Sequence, residues 1–327
     1  MDTTAFQKLN GIPASIIEVK RRREHVKNII VNHPSYSEIL ETLEEIHLFS
    51  TNSVESESLF LYGIPGVGKS TVLEKYRDQY PRQLINGCTI VPVLYNKVPV
   101  GATPKSLASS LLNSLGDPAY DKGTETSQTE RLLTFIQKCQ VEMIIIDEFQ
   151  HLIDRETKNV LNKASDWVKK FCDDVGVPIV LCGMPESVKI FEHNEQLDRR
   201  FLNKVELGKF NYSTSDEQIY FRTFLNNIDE QLPFFFKSNL AKKSLANKFF
   251  YATNGIPSYV NMLIREATTI AAKNGNDFLD ENHLYSAFNK LKFSNRPNVT
   301  NPFADDNFNI IEAYEREERA KSSIRTG

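Results

Sequence analysis

The sequence predicts an α/β fold, a central parallel sheet with helices on both faces, followed by a small all-helical domain. Three observations carry this expectation. Leu59-Phe-Leu-Tyr62 is an apolar run that enters a Gly-rich loop and then a helical pattern. Met143-Ile-Ile-Ile146 is a continuous apolar run, as suits a central parallel strand covered on both faces, and it ends in the carboxylates Asp147 and Glu148. Val177-Pro-Ile-Val-Leu-Cys182 repeats the strand pattern after a long helical stretch, and beyond about residue 210 such runs stop.

In chain order, residues 1–32 read as a polar N-terminal arm with a helical stretch. Residues 33–210 form the α/β core. His33-Pro-Ser-Tyr-Ser37 is a turn that starts a helix capped by Ser35 or Ser37, with Ile39, Leu40, Leu43 and Ile46 on one face. After the strand–loop–helix at 59–76, Thr89 to Tyr95 is a second strand, with Pro92 hinting at an edge or a bulge. A helix from Thr103 to Leu115 has Thr103 as its cap, Pro104 at its first position and Gly116 at its end. A polar linker at 117–127 and a helix from Thr129 to Cys139 lead to the Asp147 strand. A long helix at about 155–174 precedes the Val177–Cys182 strand. Helices over Asp216–Ile228, Leu240–Thr253, Ile256–Asn274 and Glu281–Leu291 make the helical domain, 211–292. Residues 293–327 have few core residues and read as a tail, partly disordered alone.

The chemistry lies at two strand ends. Gly63-Ile-Pro-Gly-Val-Gly-Lys-Ser-Thr71 matches G-x-x-x-x-G-K-[ST] in full. A triphosphate needs successive backbone N–H groups pointing inward, so the glycines of Gly63, Ile64, Pro65, Gly66, Val67 and Gly68 let the chain curl close to it. Lys69 supplies a point charge for the β/γ-phosphates and Ser70 a hydroxyl for Mg²⁺. The N-terminus of the helix from Thr71 adds its partial positive charge. Asp147 completes the Mg²⁺ shell, and Glu148 polarises the water that attacks the γ-phosphate. The expectation is ATP and Mg²⁺ binding with hydrolysis.

Composition bounds the alternatives. With 327 residues, 40% hydrophobic and 25% charged, a core plus one smaller domain fits, and no apolar run reaches the roughly 20 residues of a membrane helix. Met1-Asp-Thr-Thr begins no secretory signal. Cys88, Cys139, Cys172 and Cys182 lack C-x-x-C spacing and read as reduced cytoplasmic thiols in or near the core. His151, just past the Asp147 strand, reads as a helix-start residue. A net charge of −3 argues against indiscriminate nucleic-acid binding, so any DNA contact is a local patch. The run Lys20-Arg21-Arg22-Arg23, extended by Lys27, is either a solvated helix face or an arm reaching phosphates.

An α/β ATPase core with a small helical lid resembles the AAA+ ATPases. Gly63–Thr71, Ile144-Ile-Ile-Asp-Glu-Phe-Gln150, Val180-Leu-Cys-Gly-Met-Pro-Glu186, Leu197-Asp-Arg-Arg-Phe201 and Thr253-Asn-Gly-Ile-Pro-Ser-Tyr259 are similar to strings of the TniB/TnsC-type regulators of DNA transposition, over about residues 30–290. The resemblance implies an arginine finger at Arg199 or Arg200, reaching the γ-phosphate of a neighbouring subunit. The alternative is a surface pair packing its stems on Phe201. It implies self-assembly into rings or helical filaments around duplex DNA. It also implies sequence-independent DNA contacts from Lys97, Thr103 and Lys105, against the alternative of a solvated loop. Transposase subunits are implied partners through the tail, whose Phe303, Phe308, Ile310, Ile311 and Tyr314 alternate with acids. A target-selector protein of TniQ type is a further implied partner, and CRISPR-associated transposons fall within the resemblance.

Two positions depart from the AAA+ pattern. A polar sensor is replaced by Cys182-Gly183-Met184, and a lid arginine is replaced at Gly255-Ile-Pro-Ser258, with Arg265 as a substitute further along the helix. Both departures predict a slow, switch-like ATPase, with turnover at or below ~10 per second. A replication-initiator or clamp-loader-like ATPase is the alternative. Its winged-helix domain finds no room after Leu291.

Overall fold

The computed structural model describes residues 6–50, 57–153, 158–192, 194–292 and 296–325. The start of the helix expected at 155 lies outside them. Two compact units emerge: residues 34–208, and residues 1–33 together with 209–327.

Helix α1 (Ile16–Lys27) belongs to the second unit and is capped by Ser15, whose hydroxyl accepts from the Glu18 N–H. Its basic run is not one solvated face, nor a free arm. Arg22 is fully buried and donates to the Gln7 carbonyl at 2.6 Å and to Glu18 at 2.8 Å. Arg23 pairs with Glu266 at 2.8 Å, and Arg21 and Lys27 pair with Glu18 and Glu24.

The α/β unit begins with α2 (Pro34–Ser50). Pro34 takes the first helical position, where its missing N–H costs nothing. Ser35 and Ser37 therefore lie inside the helix and do not cap it. Strand β1 (Leu59–Tyr62) leads to α3 (Lys69–Asp78), which starts at Lys69, two residues before the expected Thr71. The strand expected over 89–95 is broken at Pro92. On one side, β2 (Gln83–Ile85) and β3 (Cys88–Ile90) form a separate hairpin across Asn86-Gly87, both with positive φ as a tight hairpin turn demands. On the other, β4 (Val93–Lys97) joins the main sheet as an edge, and the Pro92 carbonyl accepts from the N–H groups of Glu142 and Met143. Cys88 is exposed on the hairpin, while the other three cysteines are buried.

Helix α4 (Pro104–Leu115) carries the expected Thr103 cap and Gly116 end. Helix α5 (Glu125–Lys138) starts earlier than expected, because Thr124 caps it. Strand β5 (Met143–Asp147), α6 (Gln150–Ile153), α7 (Lys158–Val175) and β6 (Ile179–Gly183) follow. Helices α8 (Lys189–Glu192) and α9 (Glu195–Arg200) lead to β7 (Asn203–Glu206), a strand the sequence reading missed. The parallel order is β4-β5-β6-β1-β7. One face buries Leu61, Ile145 and Val180 against Leu43 and Tyr76 of α2 and α3. The other buries Phe60, Ile144 and Leu181 against Leu107, Leu132 and Phe171 of α4, α5 and α7.

In the helical unit, α10 (Ser215–Asp229), α11 (Lys243–Thr253), α12 (Pro257–Lys273) and α13 (Glu281–Lys290) close a core around Phe221, Phe249 and Leu263. The segment beyond is not a loose tail over its described residues. A 3₁₀ turn at Pro302–Ala304 and helix α14 (Ile310–Arg325) pack on α11. Phe303 lies against Phe249, and Phe308 and Tyr314 lie against Tyr251. Arg296 forms a buried ion pair with Glu317. Most of the residues proposed as partner anchors thus serve this unit's own core. Ile311 alone of the five stands largely exposed. No helix among the described residues is long and apolar enough to cross a membrane.

Candidate nucleotide site at the sheet's carboxyl edge

The loop between β1 and α3 fits phosphate for separable reasons. Gly68 has φ +108°, and no side chain caps α3, so the first N–H groups of the helix, those of Lys69, Ser70 and Thr71, face outward unclaimed by a cap. Gly63 has a different task. A Cβ there would lie 2.2 Å from the Leu207 carbonyl oxygen, which passes over the loop at the end of β7. Val67 is buried and pins the loop, while Pro65 and Gly66 are exposed. Lys69 Nζ donates to the carbonyls of Gly63 at 2.6 Å and Ile64 at 3.1 Å, which holds the ammonium inside the loop's curve.

Asp147 ends the interior strand β5 and is 1% exposed. The register sets Lys97 of β4 beside it, and Cys182 of β6 is the next in line on its other side. Its carboxylate accepts from the Glu148 N–H at 2.8 Å and from the Tyr95 hydroxyl at 2.7 Å. Burial pushes the Cys182 thiol well above its ordinary pKa, and the charge of Asp147 adds to this, so the thiol stays protonated. Burial likewise raises the Tyr95 hydroxyl, reinforced by its bond to Asp147. Glu148 has φ +58°, an uncommon value for a side chain of its kind and typical of strained functional positions. The Gln150 side-chain amide donates to its carboxylate.

Ser70 and Asp147 offer the hard oxygen donors that Mg²⁺ takes alongside phosphate and water, so the residues present fit that ion. Among the described residues no three His, Cys, Asp or Glu side chains converge as a metal cage, which a phosphate-bridging ion does not need. His151 lies on α6, half-buried.

The two arginines part company. Leu197 and Phe201 are fully buried and fix the face of α9. Arg200 is tied to Asp173. Arg199, two positions from Leu197, turns to solvent with no ion pair among the described residues. The proposed DNA residues also differ. Lys97 pairs with Glu74 of α3 at 2.8 Å, which raises its pKa, and Thr103 is engaged with Ser106 in capping α4. Lys105 is exposed and has no ion pair among the described residues. Arg265 has a buried Nε with no hydrogen-bond partner.

Sequence reasoning missed Tyr95, Glu74 and Gln150. The signal for Tyr95 is period-two alternation: Val93, Tyr95 and Lys97 share the sheet face of Asp147 once β4 is registered on β5.

Solved structures similar to this chain include ORC and Cdc6 proteins. Aeropyrum pernix ORC2, solved as ADPNP and ADP complexes, is 15% identical with a TM-score of 0.61, over 82% of this chain and 71% of that one. Aeropyrum pernix ORC1, solved with DNA, is 20% identical with a TM-score of 0.59, over 83% and 69%. Cdc6p from Pyrobaculum aerophilum is 12% identical with a TM-score of 0.60, over 83% and 71%. These likenesses establish the AAA+ fold. No curated protein matches the chain. A family model described as Bacterial TniB protein matches residues 22–212, more than half of the chain. The chain belongs to the TniB family and is an AAA+ ATPase.

Proposed function

We propose that this protein is an ATP-dependent regulator of DNA transposition that assembles on duplex DNA, links target selection to transposase recruitment, and hydrolyses ATP to disassemble. The observation that supports this most is the pairing of a complete phosphate loop and Asp147–Glu148 strand end with Arg199, which is exposed and has no ion pair among the described residues.

Lys69 leaves its loop carbonyls for the β/γ-phosphates, and the N–H groups opening α3 hold the phosphate oxygens. Ser70 and Asp147 would hold Mg²⁺, which would neutralise phosphate charge there. Glu148 orients the attacking water once its carboxylate leaves Gln150. Arg199 of one subunit grips the γ-phosphate in the next, so the triphosphate favours assembly and its hydrolysis removes the contact. Lys105, with Lys97 and Thr103, contacts DNA phosphates and reads no sequence. The similar ORC1, solved in complex with DNA, supports DNA as the nucleic-acid partner. Transposase subunits and a target selector of TniQ type are the protein partners of this proposal.

The initiator-like fold favours a second reading, a replication-initiator or clamp-loader-like ATPase; the family match over 22–212 favours the first. Fluorescence anisotropy of labelled duplex tests the proposal. Binding with ATP, its loss with ADP, and its loss in Lys69→Ala are expected. Equal binding in all three contradicts it. Lys105→Glu is expected to weaken binding and reduce the salt slope by about one. An unchanged slope removes Lys105 from the interface.

A further inference from the structure

The carboxylate of Asp147 is nearly sealed from water, and a buried carboxylate is held in one orientation only by the donors around it. Glu148 N–H takes Oδ1 and the Tyr95 hydroxyl takes Oδ2. Tyr95 is itself fixed. Its ring lies 5.2 Å from the Arg77 guanidinium and 5.8 Å from the Lys97 ammonium, in cation–π geometry. Its hydroxyl also lies 3.4 Å from Glu74, but the Lys97 ammonium, at 2.8 Å, satisfies that carboxylate, which leaves the phenol's proton directed at Asp147.

We propose that Tyr95 is a positioning residue for the metal site: its hydroxyl fixes the rotation of the Asp147 carboxylate so that the remaining lone pairs face the phosphate loop. The proposal rests on the reading of Asp147 as the Mg²⁺-holding acid. An ionised carboxylate has about four lone-pair sites, so the bonds from the Glu148 N–H and the Tyr95 phenol leave room for the ion. Partners of this kind, which touch the ligand and not the metal, are worth roughly 10–100-fold in metal affinity.

The test is the affinity of the full-length protein for a fluorescent ATP analogue, measured in EDTA and over a Mg²⁺ titration. Tyr95→Phe keeps the ring and its cation contacts and removes only the hydroxyl. It is expected to bind the analogue in EDTA as wild type does and to need about tenfold more Mg²⁺ for half-maximal enhancement. Asp147→Asn is the control for the underlying reading. If it leaves the Mg²⁺ curve unchanged, Asp147 is not the metal acid and that reading fails. If Asp147→Asn shifts the curve and Tyr95→Phe does not, the Tyr95 proposal alone is overturned. Tyr76→Phe removes another buried hydroxyl of the same core, one bonded to His47 at 2.9 Å. An equal shift there would mean that loss of packing moves the curve, and would also overturn the proposal.

Discussion

At the scale of single residues, the site divides into groups that touch phosphate and groups that let them do so. Gly63 is of the second kind: its absent Cβ leaves space for the Leu207 carbonyl. Gly63→Ala is expected to disorder the loop, with ATP binding lost in a calorimetric titration even though Lys69 and Ser70 remain. Arg199→Ala should abolish turnover while ATP binding stays intact. Arg200→Ala should leave turnover in place and cost at most about 1 kcal/mol, because its pair with Asp173 is partly exposed. The reverse pattern in a coupled ATPase assay would reassign the finger. The loop and the Asp147–Glu148 pair were legible in the sequence because their chemistry is contiguous along the chain. Which arginine is free was not legible. That depends on the burial of Leu197 and Phe201, and on an aspartate 27 positions away in sequence.

Elements follow a similar division. Strands β5 and β6 announce themselves as apolar runs because both faces are covered. Strand β7, Asn-Lys-Val-Glu at a half-buried sheet edge, carries no such run and was missed. The C-terminal segment misled for a related reason. It shows few core residues in sequence, yet one of its acids, Glu317, is buried against Arg296. Arg296→Ala strands that carboxylate and should cost roughly 3–5 kcal/mol in denaturant unfolding. Burial works to raise the Glu317 pKa, but the hydrogen bonds and charge of Arg296 outweigh it and hold the group below the ordinary value. A lowered folded pKa contributes stability that is present above the unfolded value, about 4.5, and is lost as pH falls through the lower folded value. Glu266, with Arg23 and Lys290, adds to the same trend. Wild type should therefore lose stability steeply in that acid window in pH-dependent thermal unfolding. Arg296→Ala should lose less of it there, and parallel curves would contradict the assignment.

For the whole molecule, we propose that an ATP site incomplete in one subunit is completed by the next, and that DNA is where this happens. The string Cys182-Gly183-Met184 at the position of a polar sensor, and Ser258 at that of a lid arginine, lead us to propose a switch with slow turnover, at or below ~10 per second. The sequence conveyed the chemistry of one subunit more fully than the assembly, because contacts between copies leave no local pattern in a chain. Electron microscopy of the purified protein with a slowly hydrolysed ATP analogue, with and without duplex DNA, tests the claim most directly. Rings or filaments are expected that enclose duplex only with the triphosphate analogue, persist in Glu148→Gln and are lost in Arg199→Ala. Monomers under every condition, or assemblies indifferent to nucleotide and to Arg199, would contradict it.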